Sequence, residues 1–154
     1  MILRLVVGVV LTAALLSVAA PMVSVGSADA ADSSVERQLD ALGDRLTTMV
    51  DTNDPTSGPG ARHVTELRLP ERSLTSAGVA WLRLYSRSGV GVATWRVGAA
   101  RTASTRLSSV PLRAESGGFA LREPGPHRLV FELRIQDGET VLTVQRLSGG
   151  TGDA

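Results

Sequence analysis

The sequence predicts an α+β fold: an N-terminal transmembrane helix, then an amphipathic helix packed on a small antiparallel β-sheet or sandwich. Three observations lead there. Residues 5–25 carry no charge, a narrow apolar stripe then recurs at helical spacing, and from His63 onward the hydrophobic period becomes two.

The first element starts with MILR, whose Arg4 precedes the uncharged run LVVGVVLTAALLSVAA. Residues 5–25 would span about 30 Å as a helix, close to one hydrocarbon core. The side chains that favour a bilayer are Leu5, Val6, Val7, Val9, Val10, Leu11, Leu15, Leu16 and Val18, each worth about 0.3–0.6 kcal/mol at mid-membrane. Arg4 before the run and acids after it orient a single pass with the N-terminus in the cytoplasm and the remainder outside. The same stretch also has the grammar of a secretory signal. Ala28-Asp29-Ala30 is a small-x-small site, and cleavage after Ala30 would release a secreted chain. On either reading the rest of the chain is exported.

The second element is the stripe Val35, Leu39, Leu42, Leu46 and Met49, with spacings of 4, 3, 4 and 3. Ser33-Ser34-Val35-Glu36 resembles a capping box that starts a helix afresh. Gly43 lies inside that helix at a cost of about 1 kcal/mol relative to alanine. NDPTSGPG then ends it, because its prolines and glycines cannot continue a helix.

Alternation marks the third part. HVTELRL places Thr65, Leu67 and Leu69 on one side, and VAWLRLY separates Ala80, Leu82 and Leu84 from Val79, Trp81, Arg83 and Tyr85. VGVATWRV and RTASTRL are weaker strands. The clearest segment, HRLVFELRIQDGETVLTVQRL, has Leu129, Phe131, Leu133 and Ile135 on one face and Arg128, Glu132, Arg134 and Gln136 on the other. Asp137-Gly138 is its hairpin turn. A sheet this small, without cysteine, needs a cover for its oily face. The stripe from Val35 to Met49 is that cover, lying across Leu129, Phe131, Leu133 and Ile135. The organisation is therefore residues 1–30 as anchor or signal, 31–51 as amphipathic helix, 52–61 as Pro/Gly linker, 62–148 as antiparallel β domain and 149–154 as a flexible tail.

Composition excludes several chemistries. All sixteen basic residues are arginine and there is no cysteine, which removes thiolate metal sites, iron–sulfur clusters and thiol nucleophiles. The charge is segregated. Residues 26–54 hold seven acids against two arginines, and residues 61–147 hold thirteen arginines against seven acids. His63 and His127, each beside an arginine at a strand start, read as strand-edge residues, and two histidines without clustered carboxylates do not make a zinc site. DTNDPTSG lacks the regular ligand alternation and distal glutamate of a calcium loop. SGPGAR and LSGGTGDA lack phosphate-loop spacing and lysine. Glu66 with Glu71, or Glu115 with Glu123, are acid pairs of a kind any small domain offers. The reading is a protein without catalytic residues, cofactor or metal.

The order of an apolar helix, a helical extension, a Pro/Gly break and an antiparallel sheet is similar to the plan of type IV pilins and pseudopilins. The segments ARHVTELRLP, SLTSAGVAWLRL, VATWRV and REPGPHRLVFELR resemble those of an uncharacterised haloarchaeal membrane-anchored pilin-like family associated with type IV pilus and secretion gene clusters. The resemblance implies an accessory protein of such a machine, with the lipid bilayer and other membrane helices as partners. No nucleic acid and no small-molecule substrate are expected. The alternative is a secreted binding module whose arginine-rich sheet recognises an anionic surface or polymer. Arg83, Arg96, Arg128, Arg134 and Arg146 lie on the outward side of strands, with Trp81, Tyr85 and Trp95 as candidates for a stacking platform.

Overall fold

The computed structural model describes residues 2–73, 76–99, 102–114 and 119–147, and only the backbone of residues 2–25 and 27. One helix, α1 (Ile2–Thr52), precedes eight strands: β1 (Arg62–Leu69), β2 (Val79–Arg87), β3 (Val90–Val97), β4 (Thr102–Ser108), β5 (Leu112–Ala114), β6 (Phe119–Leu121), β7 (Gly125–Gln136) and β8 (Glu139–Arg146). They form two four-stranded sheets, ordered β1-β7-β8-β5 and β4-β3-β2-β6. Two type I′-like turns set the hairpin registers. Ser88-Gly89 joins β2 to β3 and Asp137-Gly138 joins β7 to β8, with positive φ at all four residues.

The inner faces of both sheets meet in one core. Leu67, Leu69, Leu129, Phe131, Leu133, Leu142 and Val144 come from the first sheet, and Leu82, Leu84, Ala93, Trp95, Val97 and Leu107 from the second. Val35, Leu39, Leu42, Leu46 and Met49 of α1 are buried in the same cluster, and Ala31 extends the seam by one turn. The helix lies against β4 and β1, which are outer strands of the two sheets, and touches β3. On the other side β5 lies against β2 and β3. The sheets thus cover each other, and the helix plugs the open side between the edges β1 and β4.

Two residues fit the helix to those edges. Added at Gly43, a Cβ would sit 3.4 Å from the Arg106 carbonyl oxygen and 3.7 Å from Leu107 Cα, so the glycine lets the helix approach the β4 backbone closely. Gln38 occupies the β1 edge. Its Oε1 accepts the Arg68 N–H at 2.8 Å and its Nε2 donates to the Arg68 carbonyl at 3.0 Å. The side-chain amide thereby stands in for a neighbouring strand on the side of β1 that faces away from β7. At the top of the seam Trp95 Nε1 donates to Asp32 Oδ1.

The structure corrects the predicted fold class in several respects. The two predicted helices are one, continuous through Pro21 and through residues 24–32. Ser33-Ser34-Val35-Glu36 caps nothing, because a capping box matters only where the preceding turn supplies no carbonyls. The transmembrane helix of the predicted fold is not found: among the described residues no helix is long and apolar enough to cross a membrane. Outside its buried seam, residues 31–52 present Glu36, Arg37, Asp40, Asp44, Arg45 and Asp51 to solvent. The side chains proposed for the anchor (Leu5, Val6, Val7, Val9, Val10, Leu11, Leu15, Leu16 and Val18) lie outside the described residues. The pilin-like plan of a helix across one sheet also gives way. Strand residues outnumber helical ones, and the second sheet shares with the helix the covering of the first.

Smaller differences have local causes. The strands are not wholly antiparallel, since β5 runs parallel to β8. Ile135 is exposed, unlike Leu129, Phe131 and Leu133, because it stands at the end of β7 beyond the core. A register shift between Val79 and Trp81 turns Val79 inward and Ala80 outward, the reverse of simple alternation. The stretch read as a linker, residues 52–61, opens on the last helical residue and is stitched to β7: the Leu133 N–H donates to the Ala61 carbonyl at 3.0 Å and the Ile135 N–H to the Thr56 carbonyl at 2.9 Å. The tail, residues 149–154, lies outside the described residues.

The Gly43 contact makes a size test. Gly43→Ala places its methyl in ordinary van der Waals contact and should raise stability by up to about 1 kcal/mol through helix propensity. Gly43→Leu should lower it by about 1–3 kcal/mol by forcing the helix off β4. Urea unfolding of the two variants checks both signs.

Candidate interaction face

Three strands of the second sheet build an outer face whose composition differs from the rest of the surface. Alternation along β2 sends Trp81, Arg83 and Tyr85 outward while Leu82 and Leu84 are buried. Along β3, Val92, Thr94 and Arg96 point outward between buried Ala93, Trp95 and Val97. On β4 the outward residues are Thr102, Ser104 and Arg106. Cross-strand register aligns them. Trp81 pairs with Arg96, which pairs with Thr102; Arg83 pairs with Thr94, which pairs with Ser104; Tyr85 pairs with Val92, which pairs with Arg106. These nine positions hold three arginines, two aromatic rings, three hydroxyls and no carboxylate.

The guanidinium of Arg83 lies over the Trp81 ring, 4.9 Å from its centroid. A guanidinium stacked on a ring keeps the N–H groups at its edge for a ligand. Arg106 Nε donates to the Ser108 carbonyl at 3.4 Å and Arg96 Nη2 to the Ala99 carbonyl at 3.5 Å, so backbone contacts orient both side chains. Trp95, a candidate for the stacking platform, is buried and faces the helix. Trp81 and Tyr85 remain half-exposed on the outer face.

The outer face of the first sheet is built differently. There Glu132, buried although its alternation pointed to solvent, gathers one cation from β1 and one from its own strand. Its Oε2 is 2.9 Å from Arg134 Nη2 and 3.1 Å from Arg62 Nε, and its Oε1 accepts the Gly60 N–H at 2.9 Å. Gly60 is required at that approach, because a Cβ there would fall 1.9 Å from the Leu133 carbonyl oxygen. Burial pushes the Glu132 carboxyl up, but the hydrogen bonds from Arg134 and Gly60 and the charges of Arg134 and Arg62 outweigh it, and the group ends below its usual value. Arg68 and Glu66 form a looser exposed pair at 3.9 Å. An open cleft beside β5 is lined by Tyr85, Ser86, Leu112, Arg113, Arg134 and Ile135. Its cations are engaged, Arg113 by Glu139 at 3.1 Å and Asp137 at 3.6 Å, and Arg134 by Glu132.

The chain belongs to the family described as a domain of unknown function, DUF7311. The family model matches residues 2–147, so α1 and all eight strands belong to the family's unit. No curated protein and no solved structure matches the chain.

The other residues singled out in the sequence do not converge. His127 is buried rather than at a surface edge, with Nε2 at 2.7 Å from the Glu123 carbonyl oxygen, and His63 stands beside Phe131 in the register. Among the described residues no group of three or more His, Cys, Asp or Glu side chains could hold a metal ion. Glu66 and Glu71 are exposed, and Glu123 pairs with Arg146 at 3.1 Å. Glu115 lies outside the described residues. Of the outward arginines, Arg83 and Arg96 share the second sheet's face. Arg128 and Arg134 belong to the first sheet, and Arg146 stands at the end of β8. Sequence reasoning passed over Arg106 and the hydroxyl pair Thr94 and Ser104. The signal was present as alternation in RTASTRL, but only the register of β4 on β3 joins them to Trp81.

Glu132 supplies a pH test. A carboxyl whose folded value is depressed contributes stability above its unfolded value, and that stability is lost as pH falls through the folded value. Glu132→Gln should therefore cost about 1–3 kcal/mol at pH 7, and the gap between the two proteins should narrow below pH about 4. Denaturant unfolding at pH 7 and pH 3 measures it.

Proposed function

We propose that the protein is a non-enzymatic, extracytoplasmic accessory module whose β-sandwich holds an anionic surface or polymer through the outer face of the second sheet. One observation carries this reading. Arg83, Arg96 and Arg106 share a face with two aromatic rings and no carboxylate, whereas on the first sheet Arg62 and Arg134 are drawn onto Glu132 and Arg113 onto Glu139. Arginine in a preoriented, partly stacked setting suits planar, forked anions. The uncharged sequence of residues 5–25, preceded by Arg4, supports export.

A second reading is favoured by the continuity of α1. The helix carries the uncharged sequence at one end and the buried seam at the other. As an accessory subunit of a type IV pilus or secretion assembly, the protein would use the uncharged end against helices of partner subunits and present the sandwich as its head. The two readings are compatible where the head binds and the helix assembles.

Retention on isolated cell envelopes tests the first. The purified protein should be held at about 50 mM salt and released near 1 M, where screening shortens to about 3 Å. The triple variant Arg83→Gln, Arg96→Gln, Arg106→Gln should not be held. Equal retention of the variant contradicts the reading. Cell fractionation with mass determination tests the second: an intact chain of 16.1 kDa in the envelope fraction supports it, and a soluble form beginning at Ala31 contradicts it.

A further inference from the structure

We infer that the ligand of the second sheet's outer face is an acidic polysaccharide, a chain of sugars bearing carboxylates. This rests on the reading of that face as the binding surface and names what it takes.

The layout of the face supplies the reason. Strands lie about 4.8 Å apart and same-face neighbours along a strand about 6.8 Å apart. Arg96 on β3 and Arg83 on β2 are diagonal neighbours, and Arg106 on β4 lies across the sheet from Tyr85. On those spacings the backbone positions of Arg96 and Arg83 are about 8 Å apart, and those of Arg83 and Arg106 about 12 Å. Cations so dispersed over a flat sheet match charges spread along an extended polymer. They do not converge on a single compact anion.

The uncharged groups narrow the class further. Tyr85 and the Arg83-stacked Trp81 offer aromatic surface, and Thr94, Thr102 and Ser104 offer hydroxyls that both donate and accept. Sugars present apolar C–H faces to rings and hydroxyls to hydroxyls, and a uronate adds the planar carboxylate that a guanidinium grips with two N–H bonds. An anionic bilayer fits less well. Surface anchoring by protein wedges needs protruding apolar side chains, and the exposed large hydrophobic residues among those described, Val64, Ile135 and Leu147, all stand on or beside the first sheet.

The test is titration of the full chain with polygalacturonate, with dextran as the neutral polymer, phosphatidylglycerol vesicles and single-stranded DNA in parallel, followed by calorimetry and the intrinsic Trp fluorescence. Polygalacturonate should bind and perturb the fluorescence, while dextran should not. Arg83→Gln and Trp81→Ala should each weaken binding about tenfold or more, with circular dichroism unchanged. Arg128→Gln on the first sheet should leave it as in the parent. Equal binding of dextran, or binding of polygalacturonate that survives both second-sheet substitutions, overturns the inference. Vesicles or DNA bound in place of polygalacturonate, and lost on Arg83→Gln, overturn the sugar class while keeping the face. No binding by that face to any of the four overturns both.

Discussion

The fold depends on one seam: Ala31, Val35, Leu39, Leu42, Leu46 and Met49 set between the outer strands of two sheets. Fully burying a large aliphatic side chain is worth about 1.5–3 kcal/mol, so the five larger members together contribute on the order of 10 kcal/mol. That is comparable to the whole net stability of a small domain. The polar contacts along the seam are secondary in size, the Trp95–Asp32 hydrogen bond adding about 1 kcal/mol. Their value is geometric, since they hold the helix at one height against Arg68 of β1 and Trp95 of β3.

Closing the sandwich with a helix has consequences for the surface. Edge strands expose unpaired backbone groups that invite pairing with other chains. The helix occupies the β1 and β4 sides, and the opposite edges, β5 and β6, are only three residues each. Association through strand edges is thereby suppressed, and the broad surface left for recognition is the outer face of a sheet. The two outer faces then diverge by one residue type. Carboxylates on the first sheet hold Arg62, Arg113 and Arg134, and the strands of the second carry none beside Arg83 and its aromatic neighbour.

Much of the core was legible in the sequence because it follows from periodicity. The spacing of Val35 to Met49 identifies a buried helical stripe, and alternation through Leu129, Phe131 and Leu133 together with Asp137-Gly138 identifies the last hairpin. What periodicity cannot report is a partner distant in sequence. Glu132 reads as an outward residue, and only Gly60 and Arg62 closing over it make it buried. Strands β5 and β6 are too short to show a period, and the parallel pairing of β5 with β8 has no local signature. Gly43 looked like a defect until β4 was seen against it. The interaction face was half legible. Trp81, Arg83 and Tyr85 alternate visibly, whereas Trp95 differs from Trp81 only in which side of its strand it takes. The apparent boundary between two helices misled because Ser33 and Glu36 have capping chemistry without a helix start to cap.

Native-state hydrogen exchange, read residue by residue, tests the central claim most directly. If the seam is part of the cooperative core, the amides of residues 33–50 should open with the same free energy as those of β7, within about 1 kcal/mol. Should those helix amides exchange several kcal/mol more readily while β7 stays protected, the helix would be an appendage and not the closure of the sandwich.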